Sequence, residues 1–130
     1  MPEVIAAPLG RRSKALTTAI WIVRILLCAL FLFEGLDKFG TRPLWIRIFE
    51  QIGWGQWFRY VTGIVETAGA IAMLIPSLTP VAVMLLGSAM VGALLTHALV
   101  IGVGPQSVFV SILLGLIVVV GWHWRRSNRV

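Results

Sequence analysis

Several ionisable side chains lie in or at the ends of long apolar stretches of this sequence, and two of them are deep. Arg24 and Glu66 each lie roughly 13 Å from the nearer end of their stretch, at a helical rise of about 1.5 Å per residue. A charge in lipid costs about 2.5–3.5 kcal/mol on insertion scales and normally finds a partner. The matching depths predict a structural ion pair between Arg24 and Glu66.

Four further charged or titratable side chains lie nearer the opposite membrane surface and form a second candidate group. They are Glu34, Lys38, Arg59 and His97. Glu34 and Lys38 have the four-residue spacing that favours a helical ion pair, and His97 lies at a similar depth to Glu34, roughly 26 against 28 Å along its own stretch. Because histidine titrates near neutral pH, the group is a candidate ligand or quinone pocket. The alternative is that such charges only extend to the membrane interface.

The reactive and metal-binding residue types of the sequence predict no self-contained catalytic centre. The two histidines, His97 and His123, fall at opposite ends of their helices, so one chain cannot offer both to a haem. Cys28 is the single cysteine, which excludes an internal disulfide or a CxxC pair. Zinc requires at least three protein ligands, and we find no nucleophile–base motif or phosphate loop. We therefore expect no metal, no intrinsic cofactor and no complete active site.

The composition indicates which elements hold these residues. Of the 130 residues 58% are hydrophobic and 12% charged, against about 25% charged in a typical globular domain. Such a chain cannot cover a water-facing surface, so its apolar surplus must face lipid. Four stretches reach the length of about 20 residues that a membrane helix needs. They run over about 15–39, 57–75, 80–103 and 105–124.

These stretches predict one all-α membrane domain over residues 1–130, a four-transmembrane-helix up-down-up-down bundle. Pro76 and Pro80 mark a tight turn between the second and third helices. In the first loop, Leu44, Ile48 and Ile52 recur at helical spacing, which predicts a short amphipathic helix in the membrane interface.

Basic residues determine the predicted orientation. Arg11, Arg12 and Lys14 precede the first stretch, and Arg125, Arg126 and Arg129 follow the last. Lys and Arg are retained on the cytoplasmic side of a membrane protein, so both termini are expected there. This placement also explains the net charge of +6 without a nucleic-acid partner.

The ordered motifs resemble the DoxX family of small four-helix membrane proteins over about residues 18–122. They are FLFEGLDKF after Arg24, then WFRYVTGIVETAGAIAMLIP, then LLTHALV with its late histidine. The resemblance implies a multi-pass protein of the bacterial plasma (inner) membrane, with some relatives named as subunits of quinone-linked oxidoreductases and others linked to complexes that handle thiol or oxidative stress. Glu66 matches the family's helix-two glutamate, and Lys38 the lysine that follows its helix-one glycine.

Three functions stay open at this point. The first is an accessory or quinone-interacting subunit of a membrane oxidoreductase, with electrons supplied by a partner. The second is a small transporter or binding protein for an anionic or neutral amphiphile, since Arg24 would repel the cations that small multidrug exporters carry. The third is a non-catalytic membrane assembly factor. The expected partners are the lipid bilayer and either a protein subunit or further copies of the chain.

Overall fold

Five α-helices make up most of the described chain. The computed structural model describes residues 2–128, with side chains described from Lys14 to Asn128. The helices are α1 (Pro2–Asp37), α2 (Pro43–Ile52), α3 (Gln56–Met73), α4 (Thr79–Thr96) and α5 (Pro105–Ser127). A 3₁₀ turn, Pro76–Leu78, joins α3 to α4, and a π-helical turn, His97–Ile101, extends α4. Of the basic residues used to predict the orientation, Arg129 and the side chains of Arg11 and Arg12 lie outside the described residues.

Among the residues that the structure describes, three helical segments are long and apolar enough to cross a membrane. They are Lys14–Asp37, Pro76–Ile101 and Pro105–Ser127. The predicted stretch 57–75 is indeed helical, as α3, but it is not among the three. The polar residues Gln56, Arg59 and Glu66 lower the mean hydropathy of this 18-residue helix.

The helices pack in chain order around a ring. Helix α3 packs on α1, α4 on α3 and α5 on α4, and α5 returns to contact α1. Fully buried apolar side chains fill the centre: Leu27, Phe31, Met73, Leu86, Ile117 and Val120. Outward-facing apolar side chains stay open on the periphery, with Met84 71% and Leu99 80% exposed. Apolar surface of this extent is typical of contact with lipid.

Helices α1 and α3 cross at two glycines. A Cβ placed on Gly35 would lie 2.9 Å from the Thr67 amide nitrogen and 3.0 Å from the Gly63 carbonyl oxygen. A Cβ on Gly63 would lie 2.9 Å from the Gly35 carbonyl oxygen. The missing side chains therefore allow the two backbones to touch, as small residues commonly do between membrane helices.

The predicted helix in the first loop is confirmed as α2. Pro43 occupies its first turn, and Gly53 ends it in the left-handed conformation with φ of 83°, the common pattern for a short helix. Its buried Phe49 packs edge-on against Phe58 of α3, with ring centroids 5.8 Å apart. Helix α2 thus closes one end of the bundle, called here the α2 end. The opposite end, at the α3–α4 turn, is the Pro76 end.

Candidate functional site

A buried ion pair joins α1 to α3 near the α2 end. Lys38 Nζ donates a hydrogen bond to Glu66 Oε1, and the two side chains are only 5% and 2% exposed. The sequence predicted Arg24 as the partner of Glu66, and that prediction is wrong. Lys38 follows the last residue of α1, and its long side chain extends back into the bundle.

Arg24 lies at the Pro76 end instead. Its Nη1 donates to the Met73 carbonyl at 2.8 Å, and its Nη2 to Thr79 Oγ1 at 2.9 Å. Met73 is seven residues beyond Glu66 on α3, a separation of about 10 Å. The depth estimate failed because it placed Ala15 level with the end of α3, whereas α1 continues well past the α3–α4 turn.

Arg59 positions Lys38 rather than lining a pocket. Its Nη1 donates to the carbonyls of Lys38 and Gly40, the latter at 2.7 Å, and its Nε donates to Gln56 Oε1 at 2.8 Å. Both carbonyls lie in the turn that follows α1, and the buried guanidinium satisfies them. Arg59 was expected beside the ligand, but it fixes the backbone that carries Lys38.

The ion pair lines a largely apolar cavity between α2, α3, α4 and the π-helical turn. The cavity has a volume of about 500 Å³, within the range of about 300–1,000 Å³ typical of small-molecule sites. Its polar lining includes Lys38, Glu66, His97 and Thr62. Its apolar lining includes Trp45, Ile48, Phe49, Phe58, Ala89 and Leu95.

Of the four residues predicted for a pocket, the cavity brings together Lys38 and His97. Arg59 lies behind Lys38, as described above. Glu34 is half-buried one helical turn before Lys38 and does not line the cavity. Glu66, predicted only as a structural partner, takes the place of the carboxylate that Glu34 was expected to supply.

One oxygen of Glu66 has unused hydrogen-bonding capacity. Oε2 is buried and has no hydrogen-bond partner among the described residues. An unsatisfied buried acceptor costs about 1–3 kcal/mol, and more if it is charged. Glu66 lines the cavity, so a ligand that donated a hydrogen bond to its carboxylate would relieve this cost.

His97 is held in one orientation by Ser107. Its Nδ1 lies 2.9 Å from Ser107 Oγ, and the Gly104 amide donates to the same oxygen at 3.2 Å. With that amide as donor, the serine hydroxyl can donate to Nδ1, which leaves Nε2 protonated. The π-helical turn sets the backbone here, where the Gly102 amide donates to the His97 carbonyl at 2.7 Å.

Trp45 is a cavity residue that the sequence did not single out for this role. Lys38 Nζ lies 4.5 Å from the centroid of its ring, and its Nε1 donates to Asp37 Oδ2 at 2.8 Å. A cation close to an aromatic ring is stabilised by the ring's π electrons. The sequence feature that could have indicated this role is its position: Trp45 lies in the amphipathic helix that follows Asp37 and Lys38 in the chain.

Comparison with known protein families gives a match over most of the chain. The model of the DoxX-like family matches residues 22–121, which include every residue of the ion pair and the cavity. No curated protein and no solved structure matches the chain.

Proposed function

The chain belongs to the DoxX-like family, and from this premise we propose that it is an accessory, quinone-interacting subunit of a membrane oxidoreductase complex. The observation that carries the proposal is the largely apolar cavity that the buried Lys38–Glu66 pair lines. A cavity with few polar groups suits a ligand with an apolar body and a few polar atoms.

The polar groups match both redox states of a quinone head. A quinone carbonyl accepts hydrogen bonds, which the Lys38 ammonium and His97 Nε2 can donate. A quinol hydroxyl donates one, which Glu66 Oε2 can accept. Reduction adds two electrons and two protons to the ring. The electrons come from a partner's redox centre, and the His97 imidazole can relay protons because its two ring nitrogens can donate and accept.

The proposal includes a four-span topology in the bacterial inner membrane, with both termini in the cytoplasm. Helix α3 would be the fourth span, since it packs between α1 and α4 along its length and its two charged side chains are both buried within the bundle. Lys14, Arg125 and Arg126 at the Pro76 end support the orientation by the positive-inside rule.

Quinone retention tests the proposal. The full chain is purified from bacterial membranes in mild detergent, and the solvent extract is analysed for quinone by chromatography. We expect bound quinone in the wild type and its loss from the double variant Lys38→Met, Glu66→Leu, in which apolar residues of similar size replace the pair. Glu50→Gln is the matched control because Glu50 is exposed on α2.

Co-purifying proteins complete the test, and a redox-active partner is expected in the wild-type preparation. Wild type that carries no quinone, and binds none when ubiquinone or menaquinone is added, would contradict the proposal. So would equal retention by the double variant and the Glu50→Gln control.

A second function is favoured by how the cavity meets the lipid face. Its lining includes Leu95 and Leu99, which are 55% and 80% exposed on the outer surface of the bundle. A neutral or anionic amphiphile can therefore enter from the bilayer, as a small transporter or binding protein requires. Proton-coupled uptake into proteoliposomes by the chain alone, without a redox partner, would favour this function over the first.

A further inference from the structure

A second cavity lies at the Pro76 end of the bundle. Its volume is about 600 Å³, and it is separate from the cavity beside α2. Its polar lining includes Arg24, Ser77, His123, Ser127 and Asn128, together with the indoles of Trp21 and Trp124. The proposed quinone function uses none of these residues.

Arg24 has no acidic partner in this cavity. It is 4% exposed, and its two side-chain hydrogen bonds go to neutral oxygens, the Met73 carbonyl and the Thr79 hydroxyl. Within the part of the chain that the structure describes, both ion pairs are formed by other cations, Lys38 and Arg42. A buried charge without a counter-charge is strongly unfavourable.

The acidic residues of the chain are too far away to neutralise Arg24. There are five, and four of them lie toward the α2 end: Glu34, Asp37, Glu50 and Glu66. The fifth, Glu3, precedes Arg24 by 21 residues on the same continuous helix, a distance of about 32 Å. Lys14, Arg125 and Arg126 add further positive charge at the Pro76 end.

We propose that this cavity binds the phosphate group of an anionic ligand, with Arg24 as its main contact. The guanidinium has five N–H donors, and the two hydrogen bonds described above leave three for a ligand. Its planar fork matches phosphate geometry. Ser77 and Asn128 offer further donors, and Trp21 lies beside the guanidinium at 5.4 Å from ring centroid to Cζ.

Phospholipid headgroups and free phosphate share this chemistry. The aromatic lining matches the indoles that membrane proteins place at the headgroup level, so the proposal commits first to a headgroup. The competing explanation is that Arg24 only joins α1 to the α3–α4 turn. Thr79→Val separates the two roles, because it removes one hydrogen bond of the joint and leaves the guanidinium in the cavity.

The test is lipid binding to the purified full chain in detergent, followed by native mass spectrometry. The probes are phosphatidylglycerol, diacylglycerol with the same acyl chains, and inorganic phosphate as a competitor. We expect phosphatidylglycerol to bind and diacylglycerol not to bind. Arg24→Gln should weaken the binding of phosphatidylglycerol by at least about tenfold, whereas Thr79→Val should keep it within about threefold of wild type.

Arg125→Gln is the matched control because it removes the same charge from the same end, outside the lining. We expect it to weaken binding less than about twofold. Competition by millimolar phosphate supports a site that also takes the free ion, and its absence supports a headgroup site. If Arg24→Gln does not fold, the wild-type comparison of the two lipids still decides.

Equal binding of phosphatidylglycerol and diacylglycerol to wild type would overturn the proposal. So would equal losses in Arg24→Gln and Arg125→Gln. The quinone test uses variants of Lys38 and Glu66, and the lipid test uses variants of Arg24 and Thr79. The two proposals can therefore fail independently.

Discussion

Lys38 and Glu66 form a buried ion pair between the end of α1 and the middle of α3. Arg59 stabilises this contact, because it donates a hydrogen bond to the backbone carbonyl of Lys38. The Trp45 ring also stabilises it, because the ring lies over the Lys38 ammonium. The pair therefore both joins two helices and lines a cavity.

Removing one member of this pair should destabilise the protein more than removing both. Lys38→Met or Glu66→Leu alone leaves a buried charge without its partner, at a cost of about 3–5 kcal/mol. The double variant Lys38→Met, Glu66→Leu should recover most of that loss, since apolar replacements of a buried pair are often neutral. Chemical unfolding in detergent measures the three values.

The exposed ion pair of the same chain is the control. Arg42 Nε lies 2.8 Å from Asp37 Oδ2, with side chains 51% and 21% exposed. Arg42→Gln should cost less than about 1 kcal/mol. Additive losses in the Lys38 and Glu66 double variant would show that the two side chains are not coupled.

Gly35→Ala should separate α1 from α3. The new Cβ would lie 2.5 Å from Thr67 Oγ1 and 2.9 Å from the Thr67 amide nitrogen, so at least one backbone must move. We expect a loss of about 1–3 kcal/mol from overpacking, measured as a lower midpoint of thermal unfolding. Gly87→Ala is the control because a Cβ there meets nothing within 4 Å, and equal midpoints for the two variants would contradict the crossing.

Gly102 should tolerate substitution less well than Gly104. Gly102 has φ of 106°, a region that favours glycine, and its amide closes the turn on the His97 carbonyl. Gly104 has φ of −163°, which any residue adopts. We expect Gly102→Ala to cost about 1 kcal/mol or more and to reduce quinone retention by displacing His97, with Gly104→Ala close to wild type in both measurements.

The aromatic ring and the indole N–H of Trp45 should each contribute to ligand retention in the cavity. Trp45→Phe keeps an aromatic face over Lys38 but removes the hydrogen bond to Asp37, so ligand retention should fall modestly. Trp45→Leu removes both and should lower retention further. Trp57→Leu is the control because Trp57 is 61% exposed and outside the lining. A loss in that control as large as in Trp45→Leu would contradict a specific role for Trp45.

Single-cysteine labelling tests the proposed topology. In a Cys28→Ala background, Ser127→Cys marks the Pro76 end and Gln51→Cys marks α2. In intact spheroplasts an impermeant maleimide should label Gln51→Cys and spare Ser127→Cys until the membrane is opened. Labelling of both positions from the outside would refute a four-span topology with cytoplasmic termini.

The sequence predicted the elements better than it predicted their partners. Hydropathy and the prolines located the helices, and the period of Leu44, Ile48 and Ile52 located α2. The partner of Glu66 was missed because depth was counted from the ends of apolar stretches, and those ends are not level in the bundle. The register is set instead by the contact between Gly35 and Gly63, whose importance depends on a crossing geometry that sequence does not specify.

Only part of the candidate site was predicted, again because the sequence does not specify the crossing geometry of the helices. Lys38 and His97 do line one cavity, whereas Arg59 binds the turn after α1 and Glu34 lies outside the lining. A long cationic side chain can serve a helix end or a ligand, and only the position of the unpaired carbonyls decides between them.

The polarity of α3 has a consequence for how the chain is made. A helix with Arg59 and Glu66 is a poor candidate to partition into lipid alone, and both of these charges find partners in the segment Lys38–Gly40. Those partners are synthesised before α3. The end of α1 can therefore pair with the charges of α3 and help this helix to enter the membrane. Glycosylation-site mapping of nascent chains should therefore show α3 entering the membrane when α1 precedes it, and failing to enter when an unrelated apolar helix does.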